Sequence, residues 1–295
     1  MGLSPLQSIH MTEKDSIKVV DKVNDMQTLS NSVRKGGRII SFVPTMGALH
    51  EGHISLIRKA KEKGEFLIVS IFVNPTQFGL NEDYKKYSRD LEGDLKKIKE
   101  IGVDVVFLPD VNEIYPDGFE TYVEVEELQK PLCGQFRPGH FKGVATIVLK
   151  LFNIVKPDIA IFGEKDYQQL IIIQKMVRDL HLEIEIIGLP IIREDDGLAL
   201  SSRNAYLSKK ERKHAKALSE ALREITKSFD QGHNDVKDLI QRGRDILNKS
   251  LIYDIDYLEI RNGRTLESKE EAQSGDLVAV AAKVGNARLI DNMKL

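Results

Sequence analysis

RIISFVPTMGALHEGHISLIRKAKEKGEFLIVSIFV, residues 38–73, changes its periodicity twice. The apolar run RIISFV reads as a strand. Ile54, Ile57 and Ala60 then recur at helical spacing up to a stop at Gly64, and FLIVSIFV reads as a second strand. This is a β-α-β unit, and the rest of the chain repeats it. Leu91, Leu95 and Ile98 predict a helix stopped by Gly102. VDVVFL, GVATIVLKLFNIV, DIAIF, YQQLIIIQKMVRDL and LEIEIIGLP then alternate strand with helix. Several of these strands are apolar on both faces, as a parallel sheet covered by helices on each side requires. The expected fold is therefore α/β, a Rossmann-like doubly wound parallel sheet.

After Pro190 the character changes. REDDGLALSSRN is a polar connector, and Ser208 with Glu211 forms a capping-box pattern that opens a charged helix. Two helices, the strand YDIDYLEIR, and the pair LVAVAAKV and ARLIDNM joined at Gly285-Asn286 complete the chain. The length of 295 residues suits two domains. We place an N-terminal extension outside the ordered fold at 1–16, the Rossmann-like domain at 17–192, and a smaller C-terminal α+β domain at 193–295.

A net charge of −2, from 43 basic and 45 acidic residues, offers no footprint for nucleic acid or an anionic membrane, so small-molecule partners are expected. The single cysteine, Cys133, excludes an intrachain disulfide and fits a reducing, cytoplasmic setting. No apolar run is long enough to span a bilayer, and the first residues carry neither a secretory leader nor a myristoylation pattern.

In a doubly wound sheet, ligands bind beyond the carboxyl ends of the strands, where PTMGALHEGH falls. The next helix offers unpaired N–H groups and a positive dipole end to phosphate. Gly47 and Gly52 allow close backbone approach, and His50 and His53 add imidazole donors. A zinc site is disfavoured by the spacing, since a metalloprotease helix needs histidines four apart with glutamate between them. The plain alternative makes His50 a turn cap and His53 an ordinary first-turn residue.

Other loops join the same edge. Lys165 in FGEKDYQQL can neutralise phosphate, although Asp166 with Gln169 also satisfies a capping-box pattern. Gln77 in NPTQF suits a hydroxy acid, while Asn74-Pro75 is also a common turn starter. LALSSRN supplies two hydroxyls and a guanidinium or is a plain Ser-rich linker, RPGHF supplies Arg137 and His140 or a cap with a solvated arginine, and Asp94 could take a metal-bound water or be a solvated helix carboxylate. His10, His181, His214 and His233 receive no role. There is no G-x-S-x-G elbow and no full P-loop, so the chain offers donors and cations without an obvious covalent nucleophile.

PTMGALHEGH, NPTQF, RPGHFKGV, FGEKDYQQL and LALSSRN, in this order, resemble the pantoate-β-alanine ligase (pantothenate synthetase) family, from about Ile17 to the end. The first motif also resembles the HIGH signature of a wider nucleotidyltransferase superfamily, and LSSR its mobile second loop. The resemblance implies ATP-dependent condensation of pantoate with β-alanine through a pantoyl adenylate, with Mg2+ accompanying ATP. It implies an ATP site made by Met46, Gly47, Ala48, Leu49, His50, Glu51, Gly52 and His53, by Gly163, Glu164, Lys165 and Asp166, by Leu200, Ser201, Ser202 and Arg203, and by the backbone near Ile192 at the adenine. His53 is the implied proton donor, with His50, Lys165, Ser201, Ser202 and Arg203 on the phosphates. Gln77 and Gln169 would hold pantoate, Gln77 bordering β-alanine as well, with Asn74, Arg137 and His140 nearby and Asp94 near the metal. A cytosolic homodimer with a C-terminal lid is implied too. Leu200 stands where the family usually has Met, a volume-conserving exchange. The rival readings are adenylyl transfer to a phosphate monoester and non-catalytic ATP sensing; a tRNA synthetase lacks a visible basic RNA-binding domain here.

Overall fold

A computed structural model describes residues 17–79, 82, 84, 87–252 and 254–295, so the extension 1–16 lies outside the described residues. The first body contains β1 (Lys18–Val20), α1 (Val23–Lys35), β2 (Ile40–Thr45), α2 (Glu51–Lys63), β3 (Phe66–Ile71), α3 (Leu91–Lys99) and β4 (Val105–Phe107). It continues with α4 (Val111–Ile114), α5 (Cys133–Phe136), α6 (His140–Val155), β5 (Ile159–Gly163), α7 (Tyr167–Asp179) and β6 (Glu185–Leu189). The strands pair in parallel in the order β1-β4-β3-β2-β5-β6. Phe42, Ile68 and Phe107 pack with Met26 of α1, Leu151 and Phe152 of α6 and Met176 of α7. Val43, Leu67, Val69 and Val106 pack with Ile54 and Ile57 of α2 and Ile98 of α3. The sheet is thus covered on both sides, as its strand composition predicts.

Four elements escape the sequence reading, the short edge strand β1, helix α1 and the one-turn helices α4 and α5. A three-residue strand carries no usable alternation, and it is fixed here only by pairing with β4. Strand β2 also runs further than expected, through Pro44 to Thr45. Its ladder to β3 continues to the end, whereas pairing with β5 covers only Ser41 and Phe42; Pro44, with no N–H to donate, lies beyond that limit. The carboxyl ends of β2 and β5 therefore separate. Because the chain order reverses between these strands, the gap is the topological switch point where such sheets bind ligands.

The C-terminal part comprises α8 (Lys209–Ala215), α9 (Ala217–Asp230), α10 (Val236–Lys249) and the antiparallel strands β7 (Ile255–Arg261), β8 (Leu277–Val284) and β9 (Ala287–Lys294). The Ser208–Glu211 capping box is present, and one of the two expected helices is split into α8 and α9 at Lys216. Alternation along the central strand β8 faces Val278, Val280 and Ala282 toward Leu222 of α9 and Leu239 of α10. Leu277, Ala279 and Ala281 face the first body, against Leu132, Phe141 and Ile172. Among the described residues, no helix is long and apolar enough to cross a membrane.

Candidate active site

The turn from β2 to α2 uses both histidines as caps. His50 is the N-cap residue, and its Nδ1 accepts from Gly52 N–H at 3.2 Å; His53 Nδ1 accepts from His50 N–H at 3.3 Å. This is a capping box built from imidazoles, so the plain cap reading is correct as geometry. It does not compete with ligand binding. An Nδ1 that accepts must be unprotonated, which leaves each neutral ring with its proton on Nε2 as a free-standing donor. Burial, then the Lys165 ammonium, pushes the His50 pKa down to about 4, and burial, then His50, pushes His53 down to about 3. Both rings are neutral near pH 7 and 4.2 Å apart between centroids. Gly52 is required, because a Cβ there would stand 2.9 Å from His50 Cε1.

Helix α3 braces the preceding loop. Asp94 is 1% exposed, and its two carboxylate oxygens accept from Ala48 N–H and Leu49 N–H, each at 2.8 Å. Lys97 Nζ donates to Leu49 O at 2.6 Å. These bonds hold Ala48 in the left-handed region, at φ 51°. Asp94, expected near the metal, is buried with each carboxylate oxygen accepting from one loop amide. No three His, Cys, Asp or Glu side chains converge as a metal site among the described residues. Glu51 is exposed and pairs with Arg58 at 3.5 Å, so its side chain points away from the loop.

The loop after β5 lies across the crevice. Lys165 is mostly buried and faces Asp166 at 3.7 Å. Asp166 makes no side-chain cap bond to α7, so the capping-box expectation with Gln169 fails. Although desolvation opposes it, the charges of Lys165, Arg203, His140 and Arg137 hold the Asp166 carboxyl below its ordinary range. Gln169 makes no side-chain hydrogen bond among the described residues and lines the cleft, whereas its neighbour Gln168 is tied to Leu128 O and Pro131 O.

At the end of β3, Asn74 is 1% exposed and donates to Gln77 Oε1 and Gly143 O while accepting from Tyr115. It is a buried node that orients Gln77. Gln77 Nε2 rests on Met46 Sδ at 3.3 Å, a weak acceptor that a ligand oxygen displaces readily. Arg137 pairs with Glu82 and donates to His140 Nε2 at 3.1 Å, while His140 Nδ1 bonds Gln77 O at 2.8 Å. Burial, then Arg137, lowers the His140 pKa to about 4. Ser201 caps the short 202–206 helix by accepting from Arg203 N–H. Leu200 lies beside Gly52, and its N–H donates to Ile192 O at 3.0 Å.

Lys165, Asp166, Gln169, Ser201, Arg203, Arg137 and His140 line one cleft of about 1720 Å³ between the two bodies. His50 and His53 are not on its wall; they stand beside it, where both feel Lys165 and Asp166. Structure adds two residues the sequence reading missed, Lys97 and Asn292. Neither belongs to a motif, and only tertiary contact reveals them.

A switch-point crevice with a capped helix N-terminus, neutral imidazole donors and a lysine, and no covalent nucleophile among them, defines a nucleotide-binding α/β protein of the group-transfer type. The chain belongs to the pantoate-β-alanine ligase family, whose model matches residues 18–294. It is 50% identical to the pantothenate synthetase of Pelobacter propionicus over 279 residues, 95% of this chain and 98% of that one. It is 53% identical to that of Thermodesulfovibrio yellowstonii over 268 residues, 91% and 96% of the two chains. The crystal structure of pantothenate synthetase from Thermus thermophilus superposes with a TM-score of 0.88 at 43% identity, covering 94% of this chain and 99% of that one. The pantoate-beta-alanine ligase from Francisella tularensis, complexed with beta-gamma ATP and beta-alanine, superposes with a TM-score of 0.79 at 36% identity, covering 95% and 98%.

Proposed function

We propose that this chain condenses pantoate with β-alanine in the cleft, driven by ATP. The pantoate carboxylate attacks the α-phosphate and pyrophosphate leaves; the β-alanine amine then attacks the carbonyl of the pantoyl adenylate and AMP leaves. Both nucleophiles belong to substrates, so the protein has to align the reactants and stabilise charge. The observation that carries this reading is the pair of neutral imidazoles whose Nδ1 atoms cap α2, leaving two Nε2–H donors beside Lys165.

In this reading the loop from Met46 to His53 and residues Gly163 to Asp166 receive the triphosphate, the backbone at Ile192 meets the adenine, and Leu200 to Arg203 close over the phosphates. His53, held neutral by burial, acts as a hydrogen-bond donor that acquires positive character only as phosphate charge arrives. Gln77 and Gln169 take pantoate, with Arg137 and His140 supporting Gln77 from behind. Magnesium accompanies the ATP phosphates in this reading.

The separate apolar clusters support a working division into a 17–192 domain and a 193–295 lid. A lone buried cysteine supports a cytoplasmic setting, and the family resemblance supports a homodimer, which light scattering tests. The central test is isotope exchange between pyrophosphate and ATP. Exchange on adding pantoate alone is expected. No exchange leaves a nucleotide sensor, and exchange only with a phosphate monoester leaves a nucleotidyltransferase; either result ends this proposal.

A further inference from the structure

We infer that Asn292, on the last strand of the C-terminal sheet, is a positioning residue for Lys165. The inference rests on the phosphate role proposed for that lysine. Strand β9 is an edge strand of its sheet, and Asn292 pairs there with Ala279, on the face turned toward the first body. Asn292 is 7% exposed, and its Nδ2 donates to Glu164 O and to Lys165 O, each at 2.9 Å. Two carbonyl partners fix the amide orientation, because only the NH2 end can meet both.

The consequence follows from peptide planarity. The Glu164 carbonyl fixes the plane before the Lys165 Cα, and the Lys165 carbonyl fixes the plane after it. One side chain from the other body therefore restrains both peptide groups that flank the Lys165 Cα, and with them the direction in which its Cβ leaves the loop.

Asn292 is itself held firmly. Its N–H donates to Asp291 Oδ1 at 2.7 Å, and its carbonyl accepts from Arg193 at 3.3 Å. Arg193 also forms a two-pronged pair with the buried Asp291 at 2.6 and 2.9 Å. Lys294, two residues on, reaches Glu164 Oε1 at 3.0 Å. The last strand is thus part of the phosphate-binding apparatus rather than only a cover over it, and the loop at Lys165 is shaped from both bodies.

A double-mutant cycle tests this with pyrophosphate–ATP exchange and thermal unfolding as paired readouts. Asn292→Ala is expected to slow exchange roughly tenfold to a hundredfold, and Asn292→Asp, which keeps the volume but turns acceptors on two carbonyls, at least as much. In a Lys165→Met background the same changes are expected to cost less than about threefold further, because their target is gone. The loss of thermal stability should be alike in both backgrounds. Equal losses of exchange with and without Lys165 would show that Asn292 serves the fold alone, and overturn the inference. If Lys165→Met by itself left exchange unchanged, the phosphate role of Lys165 would fail first and take this inference with it. Asn292→Asp keeps the test decisive should the alanine variant not fold.

Discussion

Replacing Asp94 by Asn keeps the shape of the side chain and removes one acceptor and the charge. In the structure the carboxylate accepts two loop N–H groups at 2.8 Å each, and such charge-assisted bonds are each worth about 1.5–3 kcal/mol. After substitution one amide keeps a neutral acceptor of roughly half the strength, while the other faces an NH2 group and loses its partner. The gross loss is about 3 kcal/mol, from which relief of the desolvated carboxylate subtracts about 1 kcal/mol. Burial does hold the Asp94 pKa up against those two amides, so some relief is expected. The remaining loss, about 2 kcal/mol, falls on the loop that carries left-handed Ala48 and leads into the His50 cap, which corresponds to roughly 30-fold weaker ATP binding. Titration calorimetry with ATP at two magnesium concentrations measures it. An effect below threefold would refute the brace. A loss that vanishes when magnesium is raised tenfold would show that Asp94 meets the metal instead.

Three further outcomes are expected. His50→Asn restores a good N-cap without the Nε2–H donor, so it should melt within about 0.5 kcal/mol of the parent yet lose exchange activity, whereas His50→Ala should lose about 1 kcal/mol as well. Matching activity in the Asn variant would reduce His50 to a cap. His50, His53 and His140 have folded pKa values of about 4, 3 and 4, below an ordinary 6.5. The unfolded chain therefore binds more protons as pH falls, so stability is complete above pH 6.5 and declines through about pH 6 to 4, by up to roughly 1.4 kcal/mol per pH unit for each histidine. Denaturant melts across that range check the slope, which His140→Asn should reduce by about a third; a flat profile would contradict the burial of these rings. Arg193→Met leaves the buried carboxylate of Asp291 without its cation, and should cost about 3 kcal/mol in thermal unfolding, more than Asp291→Asn with its weaker residual bond. Equal effects would argue against a buried charge.

The sequence by itself determined the class of fold and the place of the site. Periodicity is local, so the succession of strand and helix from Ile40 to Leu189 announces a covered parallel sheet, and the Gly- and His-bearing turn after β2 must then lie at its carboxyl edge. The positions of the imidazole pair, Lys165, Gln77 and Gln169 were legible for the same reason, since each sits in or just beyond a loop that follows a strand. Tertiary structure decided what each polar group does. Asp94 and Asn74 read as ligand contacts, and only the structure shows that one also braces two loop amides and the other holds Gln77. Asn292 lies 127 residues from the lysine it steadies, and edge strand β1 exists only because β4 is there to receive it. Hydrogen-bond partners are fixed by where distant segments meet, and no pattern along the chain encodes that meeting.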